Sequence, residues 1–336
     1  TNNFLRIGDP PVLLLPLALA QVCVCARCWC LAARQEMVGL LPSGWDERSE
    51  RIFNSTMQQL AHAPVVKVHY RAAATLHDTR IGPVKVHQHF WRPHQDYWHN
   101  AIGGAENWEP NTFREFSRRI HSGMTYVGFG TWIGPTLLFA AQLADRSFGI
   151  EGDPAAFAGA RSNLALNSDD SWARRAFVQP ACVATDEMAG TQEMASAAAG
   201  DSCSGLNKSS GCFRRGHAPV KWQVRCYSLP YLFAKWRIAT DATTFIKIDV
   251  EGFECKLLPS LAGWLGESKD HSKPTLHFAL HAQTSSCTSD EQAAILRLSN
   301  QYRHAYCTSG QHQGVEWTAM MNRLPCPMSE VVFSDV

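Results

Sequence analysis

Three stretches of this chain combine residue types and spacings that suit ligand chemistry. In Tyr126-Val-Gly-Phe-Gly-Thr-Trp-Ile-Gly134, Gly130 and Gly134 bracket a tight turn with Thr131 between them. Small residues at such a turn let a ligand approach the backbone and the N-terminus of the helix that leaves it. A dinucleotide turn requires G-x-G-x-x-G. Counted from Gly128, the third position is Ile133, and the glycine arrives one residue late. That offset counts against a nicotinamide cofactor.

The second stretch is Glu151-Gly-Asp-Pro154. A carboxylate at the end of the strand beside the glycine turn can accept hydrogen bonds from both hydroxyls of a ribose. Glu151 is assigned that role, and Asp153 is read as the N-cap of a helix opened by Pro154. Replacing Glu151 by Ala is expected to weaken cofactor binding and to leave thermal stability nearly unchanged. The third stretch is Phe245-Ile-Lys-Ile-Asp-Val-Glu-Gly-Phe-Glu254, an apolar strand running into three acids. Carboxylates at the carboxyl end of a parallel strand sit where open α/β sheets bind ligands. Asp249 and Glu251 are candidates for general-base work towards a hydroxyl, whereas Glu254 reads as an acid favoured by a helix N-terminus.

The elements that must position these residues can be read from the pattern. Strands are expected over Met124–Gly130, Ser147–Glu151, Ala176–Ala184, Thr243–Val250 and Thr275–His281, with Val331–Phe333 as a final edge strand, and regular pattern resumes at Trp222–Leu229 after the insertion. Helices are expected over Asp46–Ala61, Pro135–Leu143, Pro154–Leu166, Cys255–Leu265 and Glu291–Gln301. Strands alternating with helices predict an α/β chain: a doubly wound, seven-stranded, mostly parallel sheet covered on both faces. Residues 185–219 are rich in Ala, Ser and Gly and read as a flexible insertion.

Composition bounds the function. The 336 residues carry 31 Lys and Arg against 30 Asp and Glu, a formal charge of +1, which disfavours a strongly basic nucleic-acid binder. Of 12 cysteines, four crowd residues 23–30 and the others form no C-x-x-C pair, so a zinc ribbon is not expected and dispersed disulfides are compatible. Pro10 to Ala26 holds no charged side chain, so residues 1–33 read as a signal peptide or a membrane anchor. The expected location is accordingly the secretory pathway or a membrane, with a soluble cytoplasmic chain as the alternative. Residues 34–122 form a Trp- and His-rich extension, and 123–336 the main domain. His87, His89, His94 and His99 are interleaved with aromatics and lack acids or cysteines at ligand spacing. They read as a polar or acceptor-binding wall rather than a metal site.

Taken together, VGFGTWIG, FGIEGDPAAFAGARSNLALN and FIKIDVEGFECKLL resemble, in order, the FkbM family of S-adenosylmethionine-dependent methyltransferases, over roughly Trp108 to Leu265. The late glycine suits the looser turn of methyl-donor enzymes. Asn163 and Asn167 match the asparagines of the family's second helix. Lys247, Asp249, Glu251 and Gly252 match its K-x-D-x-E-G block, and Glu106-Asn-Trp-Glu-Pro110 with Phe113 looks like the lead-in helix. The resemblance implies a class I methyltransferase fold that binds S-adenosylmethionine through Gly130, Thr131, Gly134 and Glu151. It also implies O-methylation of a hydroxyl on a sugar or other small polar acceptor; with the charge balance above, no nucleic-acid partner is expected. Asp249, Glu251 or His281 would handle the proton, and most of the rate would come from bringing two reactants into register. Two positions depart from the pattern. Gly128 stands where the family has an acid that holds the methionine end of the cofactor, and Ala279 stands where it has an acid late in the sheet, with His281 as the nearby polar group. Gly128 is the feature that favours the alternative of a methyltransferase-like binding protein without turnover.

Overall fold

A computed structural model describes residues 45–92, 95–106, 108–206, 219–266, 272–280, 287–308 and 329–336. The expectations for residues 1–33 and for His94 and His281 fall outside them. The described residues all belong to one compact unit, Pro42–Val336.

Ahead of the main sheet come helix α1 (Glu47–Leu60), strand β1 (Val65–Val68), helix α2 (Arg71–Leu76) and strand β2 (Val84–His87). Two short strands, β3 (Phe90–Arg92) and β4 (Gln95–Asp96), follow, then helix α3 (Pro110–Arg119). Asp46 caps α1 by accepting from the Ser49 N–H at 2.8 Å. The βα units are β5 (Thr125–Phe129), α4 (Pro135–Leu143), β6 (Arg146–Glu151), α5 (Pro154–Leu166) and β7 (Ala176–Pro180). Beyond them run β8 (Cys182–Ala184), β9 (Gly190–Ser196), β10 (Gly205–Leu206), β11 (Val220–Ser228) and α6 (Leu229–Trp236). The chain closes with β12 (Thr244–Ile248), α7 (Glu254–Gly266), β13 (Thr275–Leu280), α8 (Ser289–Ser299), β14 (His304–Cys307) and β15 (Ser329–Ser334).

The main sheet has seven strands in the order β14-β15-β13-β12-β5-β6-β7. Its pairings are parallel except those of β15, which runs antiparallel to both β13 and β14. This is the strand order of the class I methyltransferase fold. Side chains alternate across β5. Val127 and Phe129 join the core under α6, α7 and α8, while Tyr126 joins the core under α3 and α4. The sheet is thus covered on both faces, as its near-continuous apolar strands require.

Three sequence expectations are corrected. The strand expected over Ala176–Ala184 is broken at Ala181: β7 stays in the main sheet, and β8 enters a second, four-stranded sheet ordered β10-β9-β11-β8. The insertion read as flexible contributes β9 and β10 to that sheet, with Met194, Ala195 and Leu206 buried beside Trp222. Its order comes from the pairing of β9 with β11 at a distance in sequence, with β10 added to β9, which local composition does not report. Finally, Val331–Phe333 belongs to an interior strand, and β14 is the edge.

Disulfides join Cys182 to Cys226 and Cys255 to Cys287. The Trp- and His-rich extension packs on α5. The Asn163 Oδ1 accepts from the His87 N–H at 2.8 Å and its Nδ2 donates to the Ile133 carbonyl at 3.0 Å. Asn167 brackets Lys85, accepting from its N–H at 2.9 Å and donating to its carbonyl at 2.7 Å.

Candidate active site

At the carboxyl ends of β5, β6 and β12 lies a cavity of about 190 Å³. It opens beside β5, where successive strands change direction across the sheet, the usual place for a ligand in a doubly wound fold. Gly130, Thr131, Glu151, Asp249 and Glu251 all line it. Gly134 does not. It starts α4 with a φ of 100°, so its role is in the backbone. Gly130 has a second constraint besides ligand approach. Its φ is 78°, and a Cβ would fall 1.8 Å from the Asp249 carbonyl oxygen, so the end of β12 crosses directly over the turn.

Glu151 is held rigidly. One carboxylate oxygen accepts from the Trp132 N–H at 2.7 Å and the other from the Asp153 N–H at 2.8 Å. Burial, opposed by these bonds, pushes its pKa up to about 8. Each oxygen keeps acceptor capacity for a ribose hydroxyl. Asp153 caps α5, as expected, and does more: its other oxygen accepts from the Gly200 N–H at 2.8 Å and the Ser204 hydroxyl at 2.7 Å. The inserted segment is thereby tied to the cavity, and its Met194 and Leu206 supply apolar wall together with Phe253. These wall residues escaped sequence reasoning because no local pattern marks a strand that pairs across the insertion.

Asp249 lies 2.5 Å from the Lys247 ammonium, which is almost completely buried. Burial opposes the charge on Lys247, but the carboxylates of Asp249 and Glu109 outweigh it and raise its pKa. Glu251 follows in a left-handed conformation, φ 51°. Glu254 stands in the first turn of α7, as expected of an acid at a helix N-terminus, and has a further role. It is fully buried and accepts from the Val250 and Gly252 N–H groups at 3.1 and 2.9 Å, closing the turn that carries Asp249 and Glu251.

Glu109, just ahead of α3, was not singled out by sequence beyond its place in the lead-in stretch. It lines the same cavity and sits 3.7 Å from Lys247. Burial raises its pKa to about 8; the Lys247 charge opposes this, and Glu330 and Asp249 add to it. His277, paired with Lys247 across β12 and β13, is completely buried. Burial, reinforced by Lys247, lowers its pKa to about 3 and leaves it neutral. Gly128 stands opposite Lys247 on the other side, and the Tyr126 hydroxyl fills the space a Cβ would need, 2.8 Å away. Ala279 lines the cavity and pairs with Glu330 of β15.

Of the histidines, the His87 ring bonds the Ser162 hydroxyl at 2.8 Å, and the His99 ring bonds Asp96 at 2.5 Å. His89 packs edge-on against Trp132 of the glycine turn. Among the described residues no group of three His, Cys, Asp or Glu side chains is placed to hold a metal ion. No helix among them is long and apolar enough to cross a membrane.

No family model and no curated protein matches the chain. Among solved structures, a methyltransferase FkbM from Methylobacillus flagellatus KT is similar at 19% identity, over 63% of this chain and 44% of that one, with a TM-score of 0.37. A putative methyltransferase from Streptococcus mutans, in complex with SAH, is similar at 8% identity over 67% and 96%, TM-score 0.36. A putative rRNA-methylase from Clostridium thermocellum is similar at 10% identity over 67% and 94%, TM-score 0.35. The present chain therefore spans less than half the length of the FkbM protein. The fold assignment rests on the strand order and the position of the cavity.

Proposed function

We propose that the chain is an S-adenosylmethionine-dependent methyltransferase that methylates a hydroxyl oxygen of a sugar or other small polar acceptor. The observation that carries this reading is one cavity at the crossover of the sheet, where the glycine turn, Glu151 and the Asp249–Glu251 turn converge. When bound, S-adenosylmethionine supplies a methyl group activated by a sulfonium. Glu151 accepts hydrogen bonds from the ribose, and Met194, Leu206 and Phe253 exclude water from the apolar end. Gly130 and Thr131 leave room for the ligand against the backbone. Asp249 or Glu251 orients the acceptor hydroxyl and takes its proton, and the Lys247 ammonium, 2.5 Å away, holds the Asp249 carboxylate in place for that step. Proximity supplies most of the acceleration. The alternative, binding without turnover, is favoured by Gly128, which offers no side chain opposite Lys247.

The test is transfer of labelled methyl from S-adenosylmethionine to a panel of free sugars, glycans and short RNAs. Label in the carbohydrate fraction is expected. Label in RNA alone would overturn the acceptor assignment, and binding with no transfer to any acceptor would favour the alternative. We further propose that the chain works in an oxidising compartment of the secretory pathway. The two disulfides and the apolar residues 10–26 support that reading.

A further inference from the structure

The floor of the cavity carries an imbalance of charge. Three carboxylates, those of Glu109 and Asp249 in the lining and that of Glu330 outside it, act electrostatically on one ammonium, that of Lys247. His277 beside them is neutral and supplies no second cation. A buried excess of acid destabilises the free site and favours a positively charged ligand, more strongly than the same charges would in water.

The acids are not equivalent. Asp249 is engaged by Lys247 at 2.5 Å. Glu330 accepts from the hydroxyls of Thr112 and Thr308. Glu109 lines the cavity, and its Oε2, shielded from solvent, lies 3.7 Å from the Lys247 ammonium but accepts no hydrogen bond among the described residues. The backbone holds it there in a left-handed conformation, φ 45°, which non-glycine residues rarely adopt. Phe113 and Phe116 of α3, both buried in the core, fix the segment that follows. No acid can come from β5, since Gly128 has no side chain and the Tyr126 ring occupies its space.

We infer that Glu109 receives the ammonium group at the amino-acid end of S-adenosylmethionine. The inference rests on the cofactor reading above and adds a binding residue contributed by the segment ahead of the sheet. The amino-acid end brings an ammonium and a carboxylate, and the sulfonium a further positive charge, so S-adenosylmethionine carries a net positive charge that offsets part of the excess acid, with its ammonium directed at Glu109.

The test uses the full chain and three ligands in calorimetric titration. They are S-adenosylhomocysteine, its analogue lacking the amino group, and 5′-methylthioadenosine, which lacks the amino-acid end altogether. Glu109→Gln is expected to weaken S-adenosylhomocysteine at least tenfold and to leave 5′-methylthioadenosine within twofold. The unaltered chain is expected to bind the deaminated analogue at least tenfold more weakly than S-adenosylhomocysteine. A Gln variant that binds S-adenosylhomocysteine as the parent does would overturn the inference and spare the cofactor reading. An unaltered chain that binds none of the three would overturn the cofactor reading itself. If the variant loses 5′-methylthioadenosine too, it has misfolded, and the parent's ligand series decides. Equal affinity for the amino and deaminated ligands then refutes the assignment.

Discussion

At the scale of single residues, the site is built from carboxylates kept in place by backbone N–H groups and one buried ammonium. Glu151 illustrates the consequence. Its two oxygens satisfy the Trp132 and Asp153 N–H groups, so Glu151→Ala removes the proposed ribose contacts and also orphans two donors in a buried turn. The expectation that stability would hardly change is therefore corrected. Each orphaned buried donor costs roughly 1–3 kcal/mol, so a lower Tm should accompany at least a tenfold weaker affinity for S-adenosylhomocysteine. Scanning calorimetry and titration on the same sample check both, and an unaltered affinity would remove Glu151 from the site.

The raised carboxyls also set a pH dependence. Glu151 and Glu109 each titrate near 8 in the folded chain and near 4.5 when unfolded. Between those values the folded state binds more protons, so stability is fullest below about 4.5 and falls as pH rises towards 8. The Tm of the ligand-free protein should decline across that window, with a shallower decline in Glu109→Gln. A variant whose slope matches the parent's would show that Glu109 does not titrate there.

At the scale of elements, the βα units were legible because their cues are local. Pro135 and Pro154 open α4 and α5, and Asp153 caps the second; the predicted bounds of both helices match the structure. The insertion was not legible, because β9 owes its order to β11, remote in sequence, and β10 in turn pairs with β9. Nor was the wall of Met194 and Leu206, nor the part played by Glu109, which a motif search sees only as a lead-in residue. Asn163 and Asn167 matched a family pattern whose physical meaning emerges here as stitching of β2 to α5 and the glycine turn. Asn163→Ala leaves the His87 N–H and the Ile133 carbonyl without partners. A loss of about 2–3 kcal/mol is expected, or roughly 3–5 °C in Tm for a chain of this size. Hydrogen exchange should show faster opening of residues 84–87, and unchanged protection there would disprove the stitching role.

At the scale of the whole molecule, near-neutral net charge leaves local acid clusters and disulfides as the main electrostatic and covalent features. The Cys182–Cys226 bridge ties β8 to β11 beneath the cavity and closes a separation of 44 residues. Loop-closure arguments give it about 4 kcal/mol of stabilisation. Cys182→Ala/Cys226→Ala should lower Tm markedly. In the denatured parent chain, the thiols of Cys182, Cys226, Cys255 and Cys287 should resist alkylation until a reductant is added. Alkylation of all four without reductant, read by intact mass, would contradict an oxidised native state.

The central claim concerns the ligand of the cavity between β5, β6 and β12. Calorimetric titration of the full chain with S-adenosylhomocysteine, with NADH run in parallel, tests it most directly. Micromolar binding of S-adenosylhomocysteine and none of NADH is the result expected from Glu151, the late glycine and the acidic floor. Binding of NADH alone would contradict the account.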